Sequence, residues 1–447
     1  MKKKAYQKPA ITKLQVGFLR DKSSTLSSLV RKEIDGVPVK DLLRRYGSPL
    51  FVFSEKRLRE QIRYARRIFE SQYPRVEFSW SYKTNYLDAI CRIFHQEGAT
   101  AEVVSDFEYE KARRLGVPGE KIIFNGPYKP KNILRRAVEE GARINADSLD
   151  EILDLEEIAS EQGRKLSIGL RINMDTGIYP RWDRFGFNLE SGEVLQVAQR
   201  IAAGGKLEVV GLHCHQGTFI LEPEAYARAT EKLLTLARQL EEKFGWNIEY
   251  LDLGGGFPSR NRLKGVYLPP EVAVPPLADY AERIGRVLLS RLQPGEYPLL
   301  ILESGRALVD EAGFLLTTVR AIKRLPTGQR AYVLDAGVNL LFTAFWYSLK
   351  VELGDEILGP PEPCVLYGPL CMNIDVVEES ILLPPLPRET PLVISPVGAY
   401  NITQWMQFIT YRPPVVLITE EGHPEIIRKA ETLEDIVRLE NLPEHLR

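Results

Sequence analysis

The chain has 447 residues, 44% of them hydrophobic and 27% charged, and its 59 Lys+Arg nearly balance 60 Asp+Glu for a formal net charge of -1. That balance excludes an electrostatic footprint for nucleic acid, leaves a small molecule as the expected partner, and the length allows two domains with real cores. Cys91, Cys214, Cys364 and Cys371 show no C-x-x-C spacing, the basic start lacks an apolar h-region, and no run reaches membrane-spanning length, so a cytoplasmic protein without disulfides, zinc knuckle or membrane partner is expected.

In chain order, residues 1–30 are basic and then Ser/Thr-rich, and a flexible tail is expected there. Residues 31–50 carry a short strand and a helix closed by Gly47-Ser48-Pro49, and are expected to join a second, β-rich domain. Residues 50–53 read as a strand and 55–71 as an amphipathic helix. From there strand and helix patterns alternate, with strands at 76–82, 101–104, 121–124, 143–146, 166–172, 207–212, 250–253 and 299–302. Helical patterns such as 106–115, 148–162 and 223–243 fill the gaps. The simplest closure is a (β/α)8 TIM-like barrel over 51–307. Past residue 308 the texture changes to short β runs at 314–321, 331–334, 365–367, 392–394 and 415–418, separated by Pro- and Gly-rich turns. These predict a C-terminal, mostly antiparallel β-barrel or sandwich over 308–425, with a charged tail and short helix over 426–447.

In such a barrel the C-terminal strand ends share one mouth. The alternating run ends abruptly at Lys83, with a helix expected from about Tyr86 behind Thr84 and Asn85 as N-caps. Strand two carries Glu102, strand five ends in Arg171, and strand six leads into His213-Cys214-His215-Gln216-Gly217-Thr218. Strand seven ends in Asp252-Leu253-Gly254-Gly255-Gly256-Phe257, strand eight in Glu303-Ser304-Gly305-Arg306. The loops after strands seven and eight often bind phosphate in this fold; three glycines permit close backbone approach and Arg306 offers a fork of charged donors. A phosphate site beside a lysine points to pyridoxal 5′-phosphate, whose aldehyde bonds an amine, with Glu303 against the pyridine nitrogen and His215 stacked on the ring. A metal-dependent hydrolase stays open on the His213/His215 spacing, which puts two imidazoles on one side of a strand.

The segments Ser81-Tyr82-Lys83-Thr84-Asn85, His215-Gln216-Gly217-Thr218, Gly254-Gly255-Gly256-Phe257, Glu303-Ser304-Gly305-Arg306, Gly368-Pro369-Leu370-Cys371 and Gly398-Ala399-Tyr400 together resemble, in order, the fold-type III PLP-dependent decarboxylases, the family of diaminopimelate and ornithine decarboxylases. The resemblance runs from about Asp35 to Thr419. It implies that Lys83 binds the cofactor aldehyde and that Glu102 and Glu108 line the pocket. It places Arg171 near the cofactor hydroxyl, and Gly254, Gly255, Gly256, Gly305, Arg306, Tyr400 and Thr218 about the phosphate. It also implies a homodimer with shared active sites, in which Cys371 reaches into the neighbouring subunit to reprotonate Cα. An alanine-racemase-like enzyme shares barrel and lysine but favours an arginine where Glu303 stands.

The chain departs from that family at the distal end of the substrate. Thr343 stands where diaminopimelate enzymes place an arginine, and Met372 follows Cys371 where they carry Glu and ornithine enzymes Asp. Tyr347, Thr343, Met372 and Asp375 are the expected substrate residues, within an aromatic surround that includes Phe345, Trp346, Trp405 and Phe408. A divergent decarboxylase for a modified or conjugated amino acid, of siderophore or other secondary metabolism, is expected; diaminopimelate decarboxylation in lysine biosynthesis is the alternative.

Overall fold

Residues 30–447 are described by a computed structural model. The segment expected to be a tail, 1–30, lies outside the described residues except for Val30, which bridges Leu353. Eight strands occupy the predicted places: Val76–Ser81, Thr100–Val103, Ile122–Phe124, Arg143–Ala146, Leu166–Asn173, Leu207–His213, Tyr250–Asp252 and Leu299–Leu302. Each pairs in parallel with the next, and the last pairs with the first through Leu300 and Val76. The barrel is closed. Their burial explains why no alternation marks the central strands: Ile122–Phe124 and Tyr250–Asp252 are buried at every position, between the barrel interior and the outer helices.

The strand Leu50–Ser54 belongs elsewhere. It pairs antiparallel with Gly313–Arg324 and parallel with Val415–Ile418, inside a second sheet. Its odd and even residues face different apolar clusters: Leu50 and Val52 pack with Val39 and Leu42 of the helix Val39–Tyr46, whereas Phe51 and Phe53 join the main core. The boundary expected at residue 51 therefore falls within a strand of the β-rich unit, and the barrel's own elements begin with the helix Glu55–Glu70. The second sheet is mostly antiparallel, with parallel pairings at Leu50–Ser54 and between Arg330–Leu334 and Glu362–Tyr367. It continues past the boundary expected at 425, because Pro424–Arg428 pairs with Val415–Ile418. The closing helix spans Leu433–Val437. No helix among the described residues is long and apolar enough to cross a membrane.

Candidate active site

The first barrel strand does not deliver Lys83 directly. It stops at Ser81, and Tyr82–Thr84 forms a 3-10 turn carrying the lysine. The next helix starts at Asp88, so Thr84 and Asn85 are not its N-caps. Asn85 instead accepts the Leu87 N–H and donates to the Gly398 carbonyl, tying the turn to the β-rich unit. Two further bonds clamp it: Thr403 Oγ1 donates to the Lys83 carbonyl and the Tyr400 N–H to that of Thr84. The lysine is thus gripped from both domains.

Lys83 Nζ donates to both oxygens of Glu102, at 2.8 and 2.5 Å. Glu102 is fully buried and also accepts from Ser81 Oγ and Asn125 Nδ2. Burial alone would lower the Lys83 ammonium, but Glu102, then Glu303 and Tyr400, outweigh it and hold it above the usual lysine range. Glu108, buried nearby, accepts the Val104 N–H and is pushed up to about 7 by burial and by Glu102.

Glu303 follows the eighth strand and accepts from Asn125 Nδ2, with His213 Nε2 3.4 Å away. Burial would raise its carboxyl, yet His213 and Lys83 hold it well below the usual carboxylate range. His215 lies two residues beyond its strand, and its Nδ1 accepts the Gly255 N–H at 3.1 Å. Burial, with Arg171 and Lys83 adding, pushes this imidazole down to about 3, so it is an uncharged plate at neutral pH. The Trp182 ring lies 5.4 Å from it.

Gly254 and Gly256 hold φ of +65° and +93°, conformations that side chains rarely adopt. A Cβ at Gly255 would strike the Glu303 carbonyl, and one at Gly305 the Thr84 side chain. Arg306 lies 4.9 Å over both the Tyr347 and Tyr400 rings and 3.8 Å from Asp310. Its Nη1 is buried without a hydrogen-bond partner. These residues enclose a cavity of about 560 Å³ whose walls include Lys83, His215, Thr218, Gly255, Gly256, Glu303, Gly305, Arg306, Thr343, Tyr347 and Tyr400. An orphaned guanidinium N–H, a cradle of backbone with no room for Cβ atoms, a carboxylate and an amine in one cavity fit a phosphorylated pyridine aldehyde. Substituting Gly305 by Ala should therefore weaken cofactor binding roughly 10- to 100-fold, by displacing buried Thr84; equilibrium titration with pyridoxal phosphate measures it.

Other expected residues lie apart from the cavity wall. Arg171 sits 3.4 Å from Asp147 and over the Phe185 ring, reaching the site through its charge on His215. Cys371 is exposed and Met372 half-buried, and neither is on the cavity wall of its own chain. Asp375, expected to meet substrate, is buried and spends its oxygens on the Val338 and Leu370 N–H groups, at 2.8 and 2.7 Å. It braces the loop that carries Cys371. Trp346 and Tyr347 line the cavity as expected, whereas Trp405 packs on Phe51 and under Arg428. The two histidines separate: the strand ends at His213, which turns toward Asp252 and Glu303, while His215 bonds Gly255.

Sequence reasoning quoted Asp252 at the end of the seventh strand without giving it a role, and passed over Asn125, Tyr179 and Trp182. Asn125 directly follows the third strand and Asp252 ends the seventh, so the strand-end rule that found Lys83 would have singled out both. Tyr179 and Trp182, on the cavity wall, come from a long loop after the fifth strand with no periodic signal.

Residues 59–310 match the model of the pyridoxal-binding domain of pyridoxal-dependent decarboxylases. The chain is 30% identical to the diaminopimelate decarboxylase of Methanothermobacter thermautotrophicus, over 92% of this chain and 96% of that protein. It is similar to the crystal structure of diaminopimelate decarboxylase from Methanocaldococcus jannaschii, with TM-score 0.84 and 29% identity, covering 94% and 99% of the two chains. The Helicobacter pylori diaminopimelate decarboxylase complexed with L-lysine matches with TM-score 0.78 and 25% identity, covering 90% of this chain and 98% of that one.

Proposed function

Because the chain belongs to the pyridoxal-dependent decarboxylase family, we propose that it removes the α-carboxylate of an amino acid whose distal group carries no charge. Pyridoxal 5′-phosphate, when bound, supplies an electron sink for the bond to the departing carboxylate. The protein's share is orientation and charge. Lys83 would hold the aldehyde, Glu303 would meet the ring nitrogen, and neutral His215 would lie against the ring. Gly255, Gly256, Gly305, Arg306, Tyr400 and Thr218 would hold the phosphate, and Arg171 would act near the cofactor hydroxyl and through its charge on His215.

One observation carries the substrate reading. Among the described residues, the charged side chains lining the cavity are Lys83, Glu303 and Arg306, all assigned to the cofactor. Thr343, in the place of a carboxylate-binding arginine, gives its hydroxyl proton to Asn401 Oδ1 at 3.0 Å. The remaining wall includes Tyr179, Trp182, Phe219, Leu263, Trp346 and Tyr347. A distal ammonium or carboxylate would be desolvated there without a partner, whereas an amidated, acylated or apolar end would not. Such conjugated amino acids occur in siderophore and other secondary metabolism. The names of the relatives favour a second reading, meso-diaminopimelate as substrate. Carbon dioxide release across a panel of free and distally acylated amino acids separates the two. Higher kcat/KM for uncharged distal groups is expected; meso-diaminopimelate or ornithine as best substrate would sink the proposal.

The same reading makes the working unit a homodimer. Exposed Cys371 supports this, since it is absent from its own chain's cavity wall. In each site, Cys371 of a second copy would return a proton to Cα. Co-expression of Lys83→Ala and Cys371→Ala chains should restore about a quarter of wild-type activity, from hybrids with one intact site. Activity no higher than in either variant alone would show that each chain uses its own cysteine. Four free thiols support a reducing, cytoplasmic setting.

A further inference from the structure

Asp252 ends the seventh barrel strand and is wholly buried. Its Oδ1 accepts the Gly254 N–H at 2.9 Å; its Oδ2, equally buried, has no partner. Glu303 lies beside it, and one oxygen of each, with one nitrogen of His213, are all within 4.8 Å of one another. The two carboxyl groups thus face each other with no other donor between them among the described residues.

Two carboxylates held this close in a dry site resist ionising together, so the pair keeps a proton. The donors decide which oxygen holds it. Glu303 receives the Asn125 amide, faces His213 Nε2, and lies in the field of Lys83. Asp252 receives a single backbone N–H. The anion therefore forms on Glu303.

We propose that Asp252 is a positioning residue for the cofactor's ring nitrogen: it stays protonated and donates from Oδ2 to the Glu303 carboxylate, holding Glu303 as an anion turned toward the ring. This rests on the assignment of Glu303 to that nitrogen. Burial, then Glu303, raises the Asp252 carboxyl far above the ordinary range, in line with the donor count. The other groups facing the pair are His213, Cys214 and His215 from the sixth strand and its loop, Tyr250 from the seventh, Glu102 from the second and Lys83 from the first turn. Tyr250 is occupied, donating to Asn145 Oδ1. With the proton on Asp252 the pair bears one negative charge, which matches the single positive charge of a protonated ring nitrogen. With the proton on Glu303 instead, the ring nitrogen would meet a neutral acid and lose its reason to stay charged.

The test is infrared spectroscopy at neutral pH of wild type, Asp252→Asn and Glu303→Gln, each with and without pyridoxal phosphate. Glu108, pushed up to about 7, contributes one buried acid band in every variant; a second such band is expected in wild type and in Glu303→Gln and is absent in Asp252→Asn. Asp252→Asn keeps an acceptor for Gly254 and a donor for Glu303, so its kcat and visible cofactor spectrum should stay within about threefold and unshifted, respectively. Asp252→Ala should lose roughly 10- to 100-fold in kcat with little change in KM, and its cofactor band should titrate at lower pH. No acid band lost from the cofactor-free protein on Asp252→Asn, or an asparagine variant as impaired as the alanine one, overturns the proton assignment whatever cofactor binds. The second acid band in a protein that takes up no pyridoxal phosphate overturns the ring-nitrogen assignment instead.

Discussion

Replacing Lys83 by Ala is expected to lower kcat by about 10⁴-fold or more, because the same amine binds the cofactor covalently and is the leaving group that the substrate amine displaces. Pyridoxal phosphate should still bind, since the glycine cradle and Arg306 remain, but borohydride should trap no adduct on the variant. In wild type the adduct should map to Lys83. The pH dependence of capture follows from the ion pair. Despite burial, which acts the other way, Glu102 and then Glu303 raise the ammonium above 10.5. Only the neutral amine attacks the aldehyde, so the rate of covalent capture should rise about tenfold per pH unit between roughly pH 7 and 9. The sign for stability is the reverse. A raised folded-state value means that the pair stabilises the cofactor-free fold fully below pH 10.5 and is lost as pH passes the higher folded value. Stopped-flow absorbance measures the capture rate, and a rate flat across that range would show that the lysine is not held as an ammonium.

The sequence carried the barrel almost to the residue, because its central strands, such as Ile122–Phe124 and Tyr250–Asp252, are buried on both faces and read as short apolar runs bounded by helical periodicity. Edge strands were harder. Val376–Leu383 presents Glu378, Glu379 and Ser380 to solvent or half-exposed positions, and Pro424–Arg428 begins with proline; both read as loop from composition, since outer strands need no continuous apolar face. At the site, residues delivered by a strand end and flanked by glycine were legible: Lys83, Glu303, Gly255, Arg306. What was not legible is the support behind them. Asp375 looked like a substrate contact because it follows Cys371, yet only the fold shows its oxygens used up by backbone donors. Asn125 contacts residues 23 and 178 positions away, Glu102 and Glu303; no local pattern encodes that.

A second chain of support ends in a large stability effect. Lys129 has a fully buried side chain, in the loop after the third strand, and donates to Glu151 Oε1 at 2.7 Å and to the Gly126 and Asn145 carbonyls at 3.1 Å each. Glu151 lies in the first turn of the helix Leu149–Gln162, after the fourth strand, and its other oxygen accepts the Asp147 N–H. The pair staples two catalytic-face loops, and Asn145 passes the restraint on through Asn125 to Glu303. Substituting Glu151 by Leu leaves a buried ammonium without its anion and should cost about 3–5 kcal/mol. Burial, however, opposes both charges: it lowers the Lys129 ammonium despite Glu151 and raises the Glu151 carboxyl despite Lys129. By linkage, the lysine's contribution is lost as pH falls through its lowered folded value, and the glutamate's as pH rises through its raised one. Near neutral pH each charge is thus held at a cost, and removing both is a smaller loss than removing one. The double variant Lys129→Met/Glu151→Leu should recover most of the single variant's deficit. What remains, about 1–3 kcal/mol, is the desolvation of the Gly126 and Asn145 carbonyls. Urea unfolding of cofactor-free protein, at one protein concentration, reads both numbers. Equal midpoints for single and double variants would mean that the two loops are held by packing, with the ion pair a passenger.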